Sequence, residues 1–173
     1  MLELVDAAFP EGFIVPADVD VTLLIDQLAH GALPLIAAVH GAPAQVNEID
    51  ALADAIMWDA ETARASRAQG RALLDLAASS SQHPVLLSAT AEHLAPVFGL
   101  VCGTLGATRD DTLAMFLQLA IRGVRGSYLI HHHLQPAIDR ALAIGRMLPL
   151  EDIATRPRII GSKRAGSSPG FPW

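Results

Sequence analysis

The stretch that decides the fold is 93–124, "HLAPVFGLVCGTLGATRDDTLAMFLQLAIRGV". Its first part, His93–Leu105, is a compact apolar segment of helical composition, and Gly106 is placed to end it by adopting a left-handed conformation. Thr108 with Asp111 three residues on has the form of a capping box, with aspartate in the usual glutamate place, so a second helix is predicted to start there. From Leu113 to Ile121 only Gln118 is polar. A helix apolar all round has to be surrounded, so this segment is expected to be the central helix of a bundle.

The rest of the chain points the same way. Of 173 residues 51% are apolar but only 5% aromatic, with alanine and leucine dominant, a mixture that favours packed helices over a β-sandwich. The fold class expected is all-α, a single-domain helical bundle around a central helix at about 113–121. Residues 21–41 read as helical, with a break or kink expected where Pro34 removes a backbone donor. Asn47, followed by acids at 48 and 50, is a plausible helix start, and helix-forming sequence continues to about Ala78 with one break near Trp58–Thr62. "SSSQHP" (79–84) reads as a loop, and further helices are expected at Leu134–Met147 and 150–154. The domain is expected to span 1–154, with 155–173 a disordered basic tail of Gly, Ser and Pro content.

Charge is unevenly placed. Residues 1–62 hold eleven acids and no lysine or arginine, whereas 63–173 hold twelve basic residues against seven acids. Such a split speaks of association rather than fold, and the acidic half argues against nucleic acid as the main ligand. No apolar run is unbroken enough for a membrane helix, and the N-terminus has no signal-type lead-in, so a cytoplasmic protein without membrane contact is expected. A lone cysteine, Cys102, excludes an internal disulfide framework, and its apolar neighbours make it a buried inert thiol.

No catalytic constellation emerges. There is no nucleophile elbow, no phosphate loop and no evident carboxylate pair; Gly99, Gly103 and Gly106 instead suit close approach to a neighbouring helix. "ARASRAQGRALLDLA" (63–77) sets Arg64, Arg67 and Arg71 on one helix face, for a carboxylate-rich partner or for the chain's own acids. "SYLIHHHLQPAID" (127–139) contains three adjacent histidines. Successive helical residues point about 100° apart, so three neighbours cannot converge on one ion; in an extended chain His131 and His133 would share a face and still lack a third ligand. His131 and His133 are therefore only weak metal candidates.

These segments together resemble the UreF family of urease accessory proteins. "HLAPVFGLVCGTLGATRDDTLAMFLQLAIRGV" is similar to the family's long internal motif and "RASRAQGRALLDLA" to another. "LVDAAFP", "GALPLIAAVHGAP" (31–43) and "LPLEDIA" (148–154) follow in the family's order. The resemblance implies an all-α, dimer-forming scaffold without catalysis of its own. Such a scaffold would join UreD (UreH) and the UreG GTPase on urease apoprotein and couple GTP hydrolysis to nickel delivery, with no tightly bound cofactor. Positions matching the family that would serve partner interfaces or the helix core are Arg64, Arg67, Gln69, Gly70, Arg71, His93, Pro96, Gly99 and Arg122. The chain departs from the family as a shortened or divergent member. "EGFIVPADVD" follows "AFP", "RGSYLIHHHLQ" shortcuts a longer segment, and "RPRIIGSKRAGSSPGFPW" replaces the family's C-terminal pattern. The alternatives are a stand-alone metal-binding protein using His131–His133, and a helical interaction module that has lost its urease partners.

Overall fold

A computed structural model of the chain describes residues 2–13, 20–57, 59–124 and 131–155. Those residues form an all-α fold: α1 (Leu2–Ala8), α2 (Val21–His30), α3 (Ala32–Gly41), α4 (Val46–Ile56), α5 (Ala60–Ser81), α6 (Pro84–Ser88), α7 (Leu94–Thr104), α8 (Arg109–Gly123), α9 (His131–Met147) and α10 (Leu150–Thr155), with a 3₁₀ turn at Pro43–Gln45.

The expected central helix is present as α8, with Leu113, Met115, Phe116, Leu117, Leu119, Ala120 and Ile121 all buried and Gln118 exposed. It shares the centre with α7, which buries every residue from Leu94 to Cys102. The most extensive interface in the fold joins α3 to α7, followed by α5 to α7. Glycine makes the first of these close: a Cβ on Gly99 would stand 2.6 Å from the Ile36 carbonyl oxygen. At Gly103 the neighbour is the His40 ring, whereas Gly106 serves a turn, with φ +83 and open space around it. There the Ala107 N–H reaches back to the Cys102 carbonyl at 2.9 Å, closing the helix end. Thr108 then starts α8 as read from the sequence: its hydroxyl oxygen accepts from the Asp111 N–H at 3.1 Å.

Three local expectations shift. The helix pair 21–41 divides at Gly31 rather than Pro34. Proline lacks the donor for the carbonyl four residues back and its ring crowds that carbonyl, so the break falls a few residues upstream. Asn47 is not a cap: α4 grows out of the 3₁₀ turn with no side-chain cap, and the Asn47 amide oxygen accepts from the Thr90 hydroxyl at 3.1 Å. "SSSQHP" is helical through Ser81; Gln82, at φ 53, and the extended His83 separate that helix from α6, which Pro84 opens.

Val21–Gly41 has the length and apolarity of a membrane-crossing helix, which the sequence reading had not granted to any stretch. Half of it is buried inside the fold, and Gly31 divides it. An aromatic cluster of Phe9, Phe13, Phe98 and Phe116 ties the N-terminal segment to α7 and α8, with ring centroids 4.7–6.2 Å apart. The expected tail lies outside the described residues except for Thr155, which ends α10.

Candidate functional site

Arg67, Arg71 and His93, among the polar residues singled out in the sequence, gather where α4, α5 and the start of α7 meet. Asp50 and Asp54 are four apart on α4 and so share a face. Ser66, Arg67 and Gly70 stand on α5 opposite them. Gly70 permits the contact, since a Cβ there would lie 2.0 Å from the Glu92 carbonyl oxygen. The result is an open groove of about 410 Å³ lined by Asn47, Asp50, Asp54, Arg67, Thr90, Glu92 and His93.

His93 sits at the N-cap position of α7 and is 1% exposed. Its Nε2 is 3.1 Å from Asp54 Oδ1 and its Nδ1 is 3.3 Å from Ser66 Oγ. Ser66 Oγ also accepts the Leu94 N–H at 3.2 Å. Both ring nitrogens of His93 are thus engaged, and Ser66 Oγ links the ring to the α7 backbone. Asp50 Oδ1 accepts the N–H groups of Glu92 and His93 at 3.1 and 2.8 Å. The His93 and Leu94 N–H groups at the start of α7 are thus met by α4 and α5 rather than by a local side-chain cap.

A serine, a histidine and an aspartate in sequence invite comparison with a hydrolytic triad. The geometry excludes that chemistry: Ser66 is fully buried, its oxygen is committed to the α7 backbone, and no substrate atom could reach it. The chain of bonds instead joins three helices.

The arginine ridge is mostly spent inside the fold. Arg67 Nη1 pairs with Asp54 Oδ1 at 2.5 Å, and Arg71 pairs with Glu92. Arg64 is exposed and makes no ion pair among the described residues. Gln69 is buried and its amide approaches the Ala65 carbonyl at 3.4 Å. Pro96 is buried in the first turn of α7, where a missing donor costs nothing. Arg122, near the end of α8, pairs with the exposed Asp6 at 3.0 Å. Gly99 belongs to the α3–α7 contact. Of the candidates named from the sequence, the structure brings Arg67, Gly70, Arg71 and His93 to one place. The sequence reading missed Asp50, Asp54, Ser66 and Glu92, for which the four-residue spacing of the two aspartates was the available signal.

Among the described residues no group of three or more His, Cys, Asp or Glu side chains stands close enough to hold a metal ion. The backbone of His131–His133 is the first turn of α9; their side chains lie outside the described residues. Cys102 is buried, and desolvation pushes its thiol up to about 12, so it is neither nucleophile nor ligand at neutral pH.

Fold and site together define a helical protein whose ordered polar groups join helices and face solvent along one groove, a build suited to protein contact. The family model of UreF matches residues 20–126, more than half of the chain. The chain belongs to the UreF family of urease accessory proteins. No curated protein matches it.

Proposed function

We propose that this chain is the scaffold subunit of a urease-maturation assembly. In that role it couples the UreG GTPase and UreD (UreH) to insertion of nickel into apo-urease, as a homodimer in the cytoplasm, with nickel as cargo rather than cofactor. Membership of the UreF family supports the general role. One observation carries the reading to particular residues. The two segments that most resemble the family, 64–77 and 93–124, lie apart in sequence yet meet at one solvent-facing groove lined by Arg67 and His93, with Gly70 packed against the Glu92–His93 backbone. A buried frame under an exposed polar rim suits a surface that must hold its shape while a partner docks.

The test is co-expression of the tagged chain with UreG and UreD, followed by affinity and size-exclusion chromatography at micromolar concentration. A complex containing at least one of the two partners is expected. Elution of the chain without either partner overturns the reading.

A further inference from the structure

A second concave feature is built from elements other than those of the groove. It is a niche of about 220 Å³ between α3, the start of α8, the end of α9 and the start of α10. Pro34, Ala37 and Ala38 line it from α3, and Leu148, Pro149 and Leu150 from the turn into α10. The volume lies below the roughly 300–1,000 Å³ of pockets that enclose whole ligands, so it suits an apolar side chain rather than a small molecule.

The helix beside the niche is short of support. α10 has six residues, far fewer than a helix needs to stand alone in water. Its Ile153 is buried, but Leu148 and Leu150 are only half-buried at the niche. A further apolar group placed there would cover both leucines and tie α10 to α3.

The sequence supplies such a group close at hand. Residues 156–160, directly after α10, read Arg-Pro-Arg-Ile-Ile, and Pro157 lacks the N–H that a continued helix would use. Leu150 and Thr155, the two ends of α10, stand about 8 Å apart at the helical rise. Four residues of extended chain span up to about 13 Å, so Ile159 can return from Thr155 to the niche. A tether that short gives an effective concentration on the order of millimolar, an advantage that a segment of another protein lacks. Charge admits the segment as well. The first turns of α8 and α10 carry Asp110, Asp111, Glu151 and Asp152, against Arg109 and Arg146 at the niche, so Arg156 and Arg158 meet more carboxylates than guanidinium groups. We infer that the niche docks the chain's own segment 156–160: a side chain of the Ile159–Ile160 pair fills the space between α3 and α10 and straps α10 to the bundle. This contact stands independently of the groove and of the identity of the groove's partners.

The test is methyl NOE spectroscopy on the full chain with ¹³C-labelled isoleucine, leucine and alanine methyl groups. Cross-peaks are expected from the δ1 methyl of Ile159 or Ile160 to the methyls of Ala38 and Leu150. The double variant Ile159→Ser with Ile160→Ser should lose them, and the Ile153 and Ala154 amides should then exchange with solvent about tenfold faster. Ala38→Leu, which fills the niche from within, should displace the segment and remove its cross-peaks to Leu150. The arm on the unaltered chain needs no variant, so misfolding cannot mask the answer. The inference is overturned by absence of the cross-peaks in the unaltered chain or by unchanged exchange in the serine variant. Cross-peaks that fade on dilution would overturn it too, since the segment of a second copy would then fill the niche.

Discussion

Asp54 carries two contacts on one oxygen, and burial decides which matters more. Its pair with Arg67 lies between side chains that are 33% and 59% exposed, so solvent screening holds its contribution to about 0–1 kcal/mol. The bond from His93 is different, because His93 is buried and loses its acceptor without gaining water. Double-mutant cycles read by urea denaturation should therefore give Asp54–His93 (Asp54→Ala with His93→Gln) a coupling of about 1–2 kcal/mol, larger than that of Asp54–Arg67. The reverse order would mean that the groove rim, not its buried base, holds α4 to α7. Cys102 offers a second measurement at this scale. With its thiol raised to about 12 by burial, it should fail to react with Ellman's reagent in the folded protein at pH 8 and react fully in denaturant. Rapid reaction without denaturant would place α7 nearer the surface than the fold has it.

Helix boundaries record what short-range chemistry can dictate. The capping box at Thr108 and the left-handed glycine at 106 were legible because a hydroxyl, a carboxylate and a glycine at fixed spacing leave few other conformations. The break after Ile56 was legible as well, and Asp59 explains where α5 resumes. Its carboxylate accepts from the Thr62 hydroxyl and the Thr62 N–H, both at 2.7 Å, and these bonds hold its pKa below the ordinary 3.8, the hydroxyl contributing most. A folded-state pKa lowered in this way adds stability above the unfolded value, and that stability is lost as pH falls through the folded value. Asp59→Asn keeps a cap but not the titration. Wild type should be the more stable of the two at neutral pH, and the gap in Tm should close below about pH 4. A gap that persists or widens on acidification would contradict this account of the helix start. Not every boundary could be read. Asn47 has the right residue type for a cap, yet a contact with Thr90, 43 residues away, claims its side chain. The serines at 79–81 have loop-like polar composition, yet the helix runs through them and ends at Gln82, two residues before Pro84.

At the level of the molecule, an apolar stretch such as 113–121 announces that it is surrounded, but not by what. That α7 shares the centre depends on Gly99 lying against Ile36, a meeting of helices invisible in either segment alone. The same holds for the groove. Arg67 and His93 were visible as residues of interest, whereas the acids that bind them sit on α4, within a stretch notable in the sequence only for its negative charge. The split of charge between the chain's halves thus resolves partly into internal pairing: Asp6 with Arg122 and Asp54 with Arg67 each join the acidic first part to the basic remainder. Among the described residues Arg64, Arg109 and Arg140 are exposed and enter no ion pair. The central claim is that the chain couples a GTPase to nickel insertion, and its most direct measurement is reconstituted activation of apo-urease. Urease apoprotein, UreD, UreG, GTP and Ni²⁺ are combined with and without the purified chain, and urea hydrolysis is followed. The account predicts activation that requires both the chain and GTP. Equal activity with the chain omitted would contradict it.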